Sequence, residues 1–379
     1  MKIAMIVPGG VDRSGEQRVI PALLSLLRRL APLHEVHVFA LAQERSPARW
    51  MLEGAHIHNI GGGGGLPRVA RTIAAVLREN RSGRFDLVQS IWSGACGLAA
   101  TCSARLLNVP SSIHYAGGEL EALPGIAYGG RSNWKGRMRE SFVLRTATVV
   151  TAASAPMIQR IAELGRRAEL VPLGVDLHAW PPRSPVRRTD DEELRLVHVA
   201  SLNLVKDQST LLRAMAVLMK SGERFHLDVV GEDTLAGRMQ LLAVELGLGP
   251  RVTFHGFVPQ RQLRPLIERA HLNVISSRHE AGPLVVLEAA VSGVPTAGTV
   301  VGHMAEWDPE AASCVPVGDA PALAEAIRAL AQDEVLRLRI ATEAQRRALA
   351  CDADRTCEQF MALHRCLVVR DAAAGDHGD

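Results

Sequence analysis

The chain alternates between two hydrophobic rhythms. Short β-branched or wholly apolar runs, Ile3–Val7, Val36–Ala40, Phe85–Ile91, Ser111–His114 and Val149–Ala152, read as buried strands, and the stretches between them are long enough for helices. Between the first two runs, Val19, Ile20, Leu23, Leu24, Leu27 and Leu30 share one helical face while Arg28 and Arg29 fall elsewhere. Pro21 inside that pattern places the helix start a few residues before it. A second series follows, with Leu196–Ala200, Leu227–Val230, Val252–Gly256 and Leu272–Ser276 as strands and Ser209–Met219, Leu235–Leu246 and Gln262–Ala270 as helices. Such alternation predicts an α/β protein with two doubly wound parallel-sheet domains.

The segment WPPRSPVRRTDDEEL, Trp180 to Leu194, has prolines and charges but few apolar residues, the composition of an exposed linker. The expected division is therefore a first domain over 1–180, a linker over 181–193 and a second domain over 194–350. A C-terminal helix over 351–379 would then cross back to the first domain, and its tail VVRDAAAGDHGD loses periodicity and is expected to fray.

Composition narrows the function. Of 379 residues 47% are hydrophobic, enough for large cores, while 43 basic residues against 40 acidic ones leave a formal charge of +3. That balance excludes a dedicated nucleic-acid binder, and 4% aromatic content is too little for a base-stacking platform. Six cysteines form no CxxC pair and no paired histidine spacing accompanies them, so neither a zinc site nor a disulfide framework is expected. The opening MKIAMIVPGG is too short for a signal peptide, and no apolar run reaches about 18 residues, so a cytoplasmic location is expected. Gly61–Gly65 lacks the GKS, GKT or GxGxxG register of a phosphate cradle and reads as a flexible loop.

Chemistry concentrates in HEAGPLVVLEAAVSGVP, His279 to Pro295. A buried strand over 272–276 runs into Glu280, and Pro283 suits the first turn of a helix because its missing N–H would have been unpaired there. Ligands of open α/β sheets bind beyond the carboxyl ends of strands. Gly282 allows close backbone approach, and Gly282, Pro283, Leu284 and Val285 lie at a helix N-terminus that favours a diphosphate. Glu288 lies about 7–8 Å along the helix axis at 1.5 Å per residue. The two carboxylates could thus address the two ends of a nucleotide-sugar, each accepting hydrogen bonds from a diol.

Four further segments, GHMAEW, RVTFHGFVP, VPLGVDLHAW and VGDAPALAEAIRAL, together with this motif resemble the retaining GT-B glycosyltransferases of family 4, over nearly the whole chain. The resemblance implies two Rossmann-like domains facing across a cleft. It implies that Glu280 contacts the transferred sugar and Glu288 the nucleotide ribose. It also maps the family's basic diphosphate segment onto ASLNLVKD, where Lys206 keeps its place but Ser201 stands where the family has arginine. Val258 falls in the segment whose backbone reads the nucleobase, Gly15 in the turn that lets backbone approach the donor phosphate, and His114 near the reacting sugar, at a strand end facing the cleft. The implied activity is retaining, metal-independent transfer of a sugar from a nucleoside-diphosphate-sugar, with no cofactor, to a saccharide or lipid-linked acceptor. A non-catalytic nucleotide-sugar-binding subunit and a nucleotide-sugar epimerase are the alternatives. GGRSNWKGRMRESFVLR carries Arg131, Lys135, Arg137, Arg139 and Arg145 against Glu140, and reads either as a solvated helix face or as a surface for anionic membrane.

Overall fold

The structure, a computed structural model, describes residues 1–189 and 191–375, with side chains through 369. The chain divides into two compact units, Met1–Gly174 together with the stretch from Ala353 onward, and Val175–Asp352. Among the described residues no helix is long and apolar enough to cross a membrane.

The first unit is built on β1 (Lys2–Val7), β2 (Glu35–Ala40), β3 (Ala48–Leu52), β4 (Ala55–Asn59), β5 (Leu87–Ile91), β6 (Ser111–Tyr115), β7 (Val149–Ala152) and β8 (Glu169–Leu170). Their order is β3-β4-β2-β1-β5-β6-β7-β8, parallel except for β3 against β4. The central strand β1 is covered on both faces, which is why its sequence is a continuous apolar run rather than an alternation. β3 and β4 form a hairpin joined at Glu53 and Gly54, both at positive φ, the twist a two-residue hairpin turn needs.

One expectation for this unit is corrected. The first helix is Pro21–Leu30, with the proline at its first turn, where it costs no hydrogen bond. Val19 lies ahead of it and bridges to Val11. The C-terminal helix is Ala353–Gly375, and of the tail expected to fray, residues 376–379 lie outside the described ones. That helix packs on the first unit, setting Cys357 and Phe360 among Leu23, Leu27 and Val171. The glycine run is held in place at the start of helix Gly65–Glu79, because Arg71 donates to the carbonyls of Gly61 and Gly62.

The second unit carries a wholly parallel sheet of β9 (Leu194–Val199), β10 (Phe225–Val230), β11 (Val252–Gly256), β12 (Leu272–Ile275), β13 (Thr296–Thr299) and β14 (Ser313–Val315), in the order β11-β10-β9-β12-β13-β14. Residues 181–189 and 191–193 are not a free linker. Trp180 is buried in this unit's core, the Arg183 amide donates to the Val291 carbonyl, and the Arg188 amide to Glu334. The prolines keep the segment extended, and these backbone contacts fasten it to the second unit.

Candidate functional site

The strand β12 ends in two serines that begin the site. Its register beside β9 and β13 is fixed by buried Leu272 and Val274, and the chain leaving its carboxyl end is stitched to the loop after β9. Ser276 Oγ donates to the Lys206 carbonyl at 2.8 Å, the Arg278 amide donates to the Val205 carbonyl at 2.7 Å, and the Arg278 guanidinium pairs with Asp207 at 3.0 Å. Asn203 shapes that loop by accepting the amides of Val205 and Lys206.

Lys206 Nζ lies 2.5 Å from Glu280 Oε1, and Ser277 Oγ donates to the same oxygen at 2.6 Å. The two charged side chains, 25% and 12% exposed, are close enough to be fixed yet open enough to meet a ligand. Beneath them His198 is buried, donating through Nδ1 to the Val274 carbonyl and accepting at Nε2 from Gln208, which also donates to the Ser201 carbonyl. Burial lowers this imidazole to about 4 and keeps it neutral, a rigid floor rather than a proton carrier.

The helix Leu284–Val291 starts immediately after Pro283 and is apolar nearly all round, so it sits inside the core with only its first residues, Leu284 and Val285, half-buried. The backbone of Gly302 closes the other side. It has φ +51, and a Cβ there would come within 3.0 Å of Pro283 Cδ and 3.1 Å of the Glu280 carbonyl. Glu288, on the fifth residue of the helix, is 5% exposed, and Gln260 donates to it at 3.3 Å. The Trp180 indole lies beside it outside hydrogen-bond geometry. Burial pushes the carboxyl up to about 7 against these two neighbours, which lower it. Val258 is half-buried just ahead of helix Gln260–Glu268, which carries Gln260.

Lys206, Glu280, Gly282, Pro283, Leu284, Val285 and Glu288 thus lie along one strand–loop–helix path and the loop it is bonded to. Ser201 is exposed and contributes its carbonyl. Two expected residues belong to the first unit. Gly15 has φ +67 in the turn after Asp12, six residues ahead of the first helix. His114 corrects an expectation: it is fully buried in β6 rather than open at a strand end, with Nδ1 2.9 Å from Thr151 Oγ1 and its ring edge-on to Phe360. Burial lowers it to about 3.

Two side chains at the site carry no expectation from sequence. Arg278 adds a cation next to Lys206, and His303 lies where Glu280 acts on its charge, lowered to about 4 by burial, with a buried and unpartnered Nε2. The arginine was hidden because its pairings to Val205 and Asp207, more than 70 positions back in the chain, bring it against the Lys206 loop.

The sequence pattern of the glycosyl transferases group 1 matches residues 183–347, and that of glycosyltransferase family 4 matches residues 22–179. The chain belongs to the GT-B glycosyltransferases of family 4. The Bacillus subtilis protein EpsD is 28% identical over 217 residues, 55% of this chain and 56% of EpsD. The chain matches just over half the length of such relatives. Sucrose-phosphate synthase from Thermosynechococcus elongatus superposes with a TM-score of 0.82 at 18% identity, covering 98% of this chain and all of that one. Anabaena HepE in complex with UDP-glucose gives 0.73 at 18% identity, covering 97% and 100%. These likenesses establish the fold of this family 4 member, two parallel-sheet α/β domains.

Proposed function

We propose that this family 4 glycosyltransferase transfers a sugar from a nucleoside-diphosphate-sugar to an acceptor hydroxyl with retention at the anomeric carbon, without a metal at the reacting centre. The observation that carries the reading is the Lys206–Glu280 pair at the carboxyl end of β12, directly ahead of helix Leu284–Val291. A diphosphate at this helix start meets the free amides and positive dipole end, with Lys206 placed to neutralise the charge that grows on the leaving group. Arg278, one residue from His279 and paired to the Lys206 loop, supplies the second cation that Ser201 does not. Once Lys206 turns to phosphate, Glu280 keeps its Ser277 bond and has an oxygen to accept a sugar hydroxyl. Glu288 takes the ribose. That HepE is described with UDP-glucose supports this donor class.

The acceptor is lipid-linked in this reading. Along helix Trp134–Thr146, Trp134, Met138 and Phe142 recur every four residues and are 59%, 63% and 38% exposed, flanked by exposed Lys135, Arg137 and Arg145. Apolar side chains on one face with basic neighbours fit an anionic bilayer surface. Glu140 does not dilute that charge: it is fully buried, bonded to Ser93 at 2.6 Å and to Arg139 at 2.9 Å.

The test is turnover of a panel of nucleoside-diphosphate-sugars, beginning with UDP-glucose, with the anomeric configuration of the product read by NMR. Retained configuration supports the reading and an inverted product overturns it. Saturable binding without turnover would favour the non-catalytic subunit that Ser201 brings to mind, and sugar conversion with no acceptor present would favour an epimerase.

A further inference from the structure

At the other end of the first unit's sheet, β2 and β4 bring together histidines that no linear spacing announces. His37 and His56 are register partners, and His58 is opposite Phe39. Because side chains two apart share a strand face, all four rings lie on one face. They stack in sequence, His56 on His37 at 4.7 Å, His37 on His58 at 5.2 Å and His58 on Phe39 at 4.7 Å. Helix Gly65–Glu79 crosses that face and delivers Glu79 from its last turn.

The contacts orient the nitrogens. His37 Nε2 is 2.9 Å from Glu35 Oε1, so its N–H points at that carboxylate and its Nδ1 lone pair turns inward. Nδ1 lies 3.0 Å from His58 Nε2 and 3.8 Å from Glu79 Oε1, and one donor atom from each of His37, His58 and Glu79 lies within 4.8 Å of the others. A tetrahedral ion with bonds of about 2.0–2.1 Å sets its ligands roughly 3.3 Å apart, within the range of these separations. Both imidazoles are buried, at 4% and 7% exposed, and face each other and the Glu79 carboxylate. Arg49 holds the far Glu79 oxygen at 3.3 Å, and Lys2 holds Glu35 at 3.1 Å. A cavity of about 510 Å³ lined by Glu35, His37, His56, His58, Glu79 and Ser82 leads to the cluster.

We infer that His37, His58 and Glu79 form a binding site for a zinc-class divalent ion, with Glu35 as the outer carboxylate that orients His37 and a water from the cavity as fourth ligand. Two histidines, a carboxylate and an orienting second carboxylate are the donor set such an ion takes. His37 binds through Nδ1 and His58 through Nε2. The proton now shared between them moves to His58 Nδ1, on the side of Glu79 Oε2 4.0 Å away, so no net proton is released from the neutral pair. The site lies on a face of the sheet, between β2, β4 and the end of helix Gly65–Glu79, and not in the loops beyond the carboxyl ends where an open sheet takes its ligands, so the ion clamps these three elements and takes no part in glycosyl transfer. The inference is independent of the donor-site reading.

The full chain, stripped with a chelator and dialysed, is titrated with Zn2+ alone by calorimetry and with Co2+ alone by visible absorption. One ion per chain, a raised melting temperature and a cobalt d–d spectrum are expected. Glu79→Gln and Glu35→Gln, at less buried positions, should weaken uptake about 10- to 100-fold while leaving the metal-free melting temperature and circular dichroism unchanged. His37→Gln and His58→Gln should abolish it. No uptake by the wild-type chain overturns the inference and leaves the cluster as a hydrogen-bonded histidine stack. Equal uptake by wild type and the glutamate variants overturns it as well.

Discussion

In the proposed reaction, the opposite charges of Lys206 and Glu280 would serve different groups of a nucleotide-sugar. Lys206→Ala should remove about 2–4 kcal/mol of transition-state stabilisation, read as a drop in kcat/KM, because the leaving diphosphate loses a preorganised cation. Glu280→Gln should do the same through the sugar, and since the residues touch, the double variant should lose less than the two costs added. Glu288 gives a pH signature. Its carboxyl titrates at about 7 in the folded chain against 4.5 as the ordinary value, so the folded state holds more protons between those limits. Folding stability should therefore fall as pH rises from about 4.5 to about 7 and level off above, and Glu288→Gln should flatten that slope in a series of denaturation midpoints. Donor affinity should run the other way, tightening as pH rises through 7, because ribose hydroxyls donate to the ionised carboxylate. A titration with no pH dependence between 6 and 8, or one that Glu288→Gln leaves sloping, would remove Glu288 from the ribose role.

Helix Leu284–Val291 can serve a ligand only if its start stays where Pro283 and Gly302 put it. In Gly302→Ala, the added methyl meets Pro283 at 3.0 Å on a backbone of φ +51, so a loss of about 1–3 kcal/mol in stability is expected, with weaker nucleoside diphosphate binding as the helix start shifts. Some element bounds were directly legible in the sequence. Val149–Ala152 and Val252–Gly256 have the bounds their apolar runs predict, and Glu280 and Glu288 fall on either side of a helix start because Gly-Pro announces one. The hairpin of β3 and β4 was not legible, because ARWML exposes Arg49 and the apolar Met51 and leaves Ala48, Trp50 and Leu52 only half-buried, so no buried face marks it. His114 was legible as a strand residue but not as a buried one, since its cover, Phe360, comes from 246 positions further along the chain. The helix Trp134–Thr146 shows the same gap: its charges were visible, but the exposed Trp134, Met138 and Phe142 row needed coordinates. Sedimentation should find the chain on vesicles with anionic lipid, and Trp134→Ser with Phe142→Ser should release it; equal partition onto uncharged vesicles would refute the membrane surface.

Across the whole molecule, each unit carries its own buried core, and the C-terminal helix belongs to the first although the chain has passed through the second to reach it. Phe360 is fully buried there, edge-on to His114 and packed with Leu23, Leu27 and Val171. Phe360→Ala should cost about 3–5 kcal/mol, the usual range for emptying an aromatic site in a core. The packing that is lost lies in the first unit, while Lys206, Arg278 and the helix after Pro283, which would hold the donor diphosphate, are in Val175–Asp352. Two measurements on one variant therefore separate the units. Calorimetry should show a melting transition moved down, while UDP titration at a temperature below it should keep its wild-type midpoint. Ligand at about 100 times its dissociation constant should still add about 2.7 kcal/mol to the second unit's transition. A Phe360→Ala chain that melts lower and also loses UDP binding while still folded would mean that the first unit takes part in holding the nucleotide, and the donor site would have to be redrawn to include it.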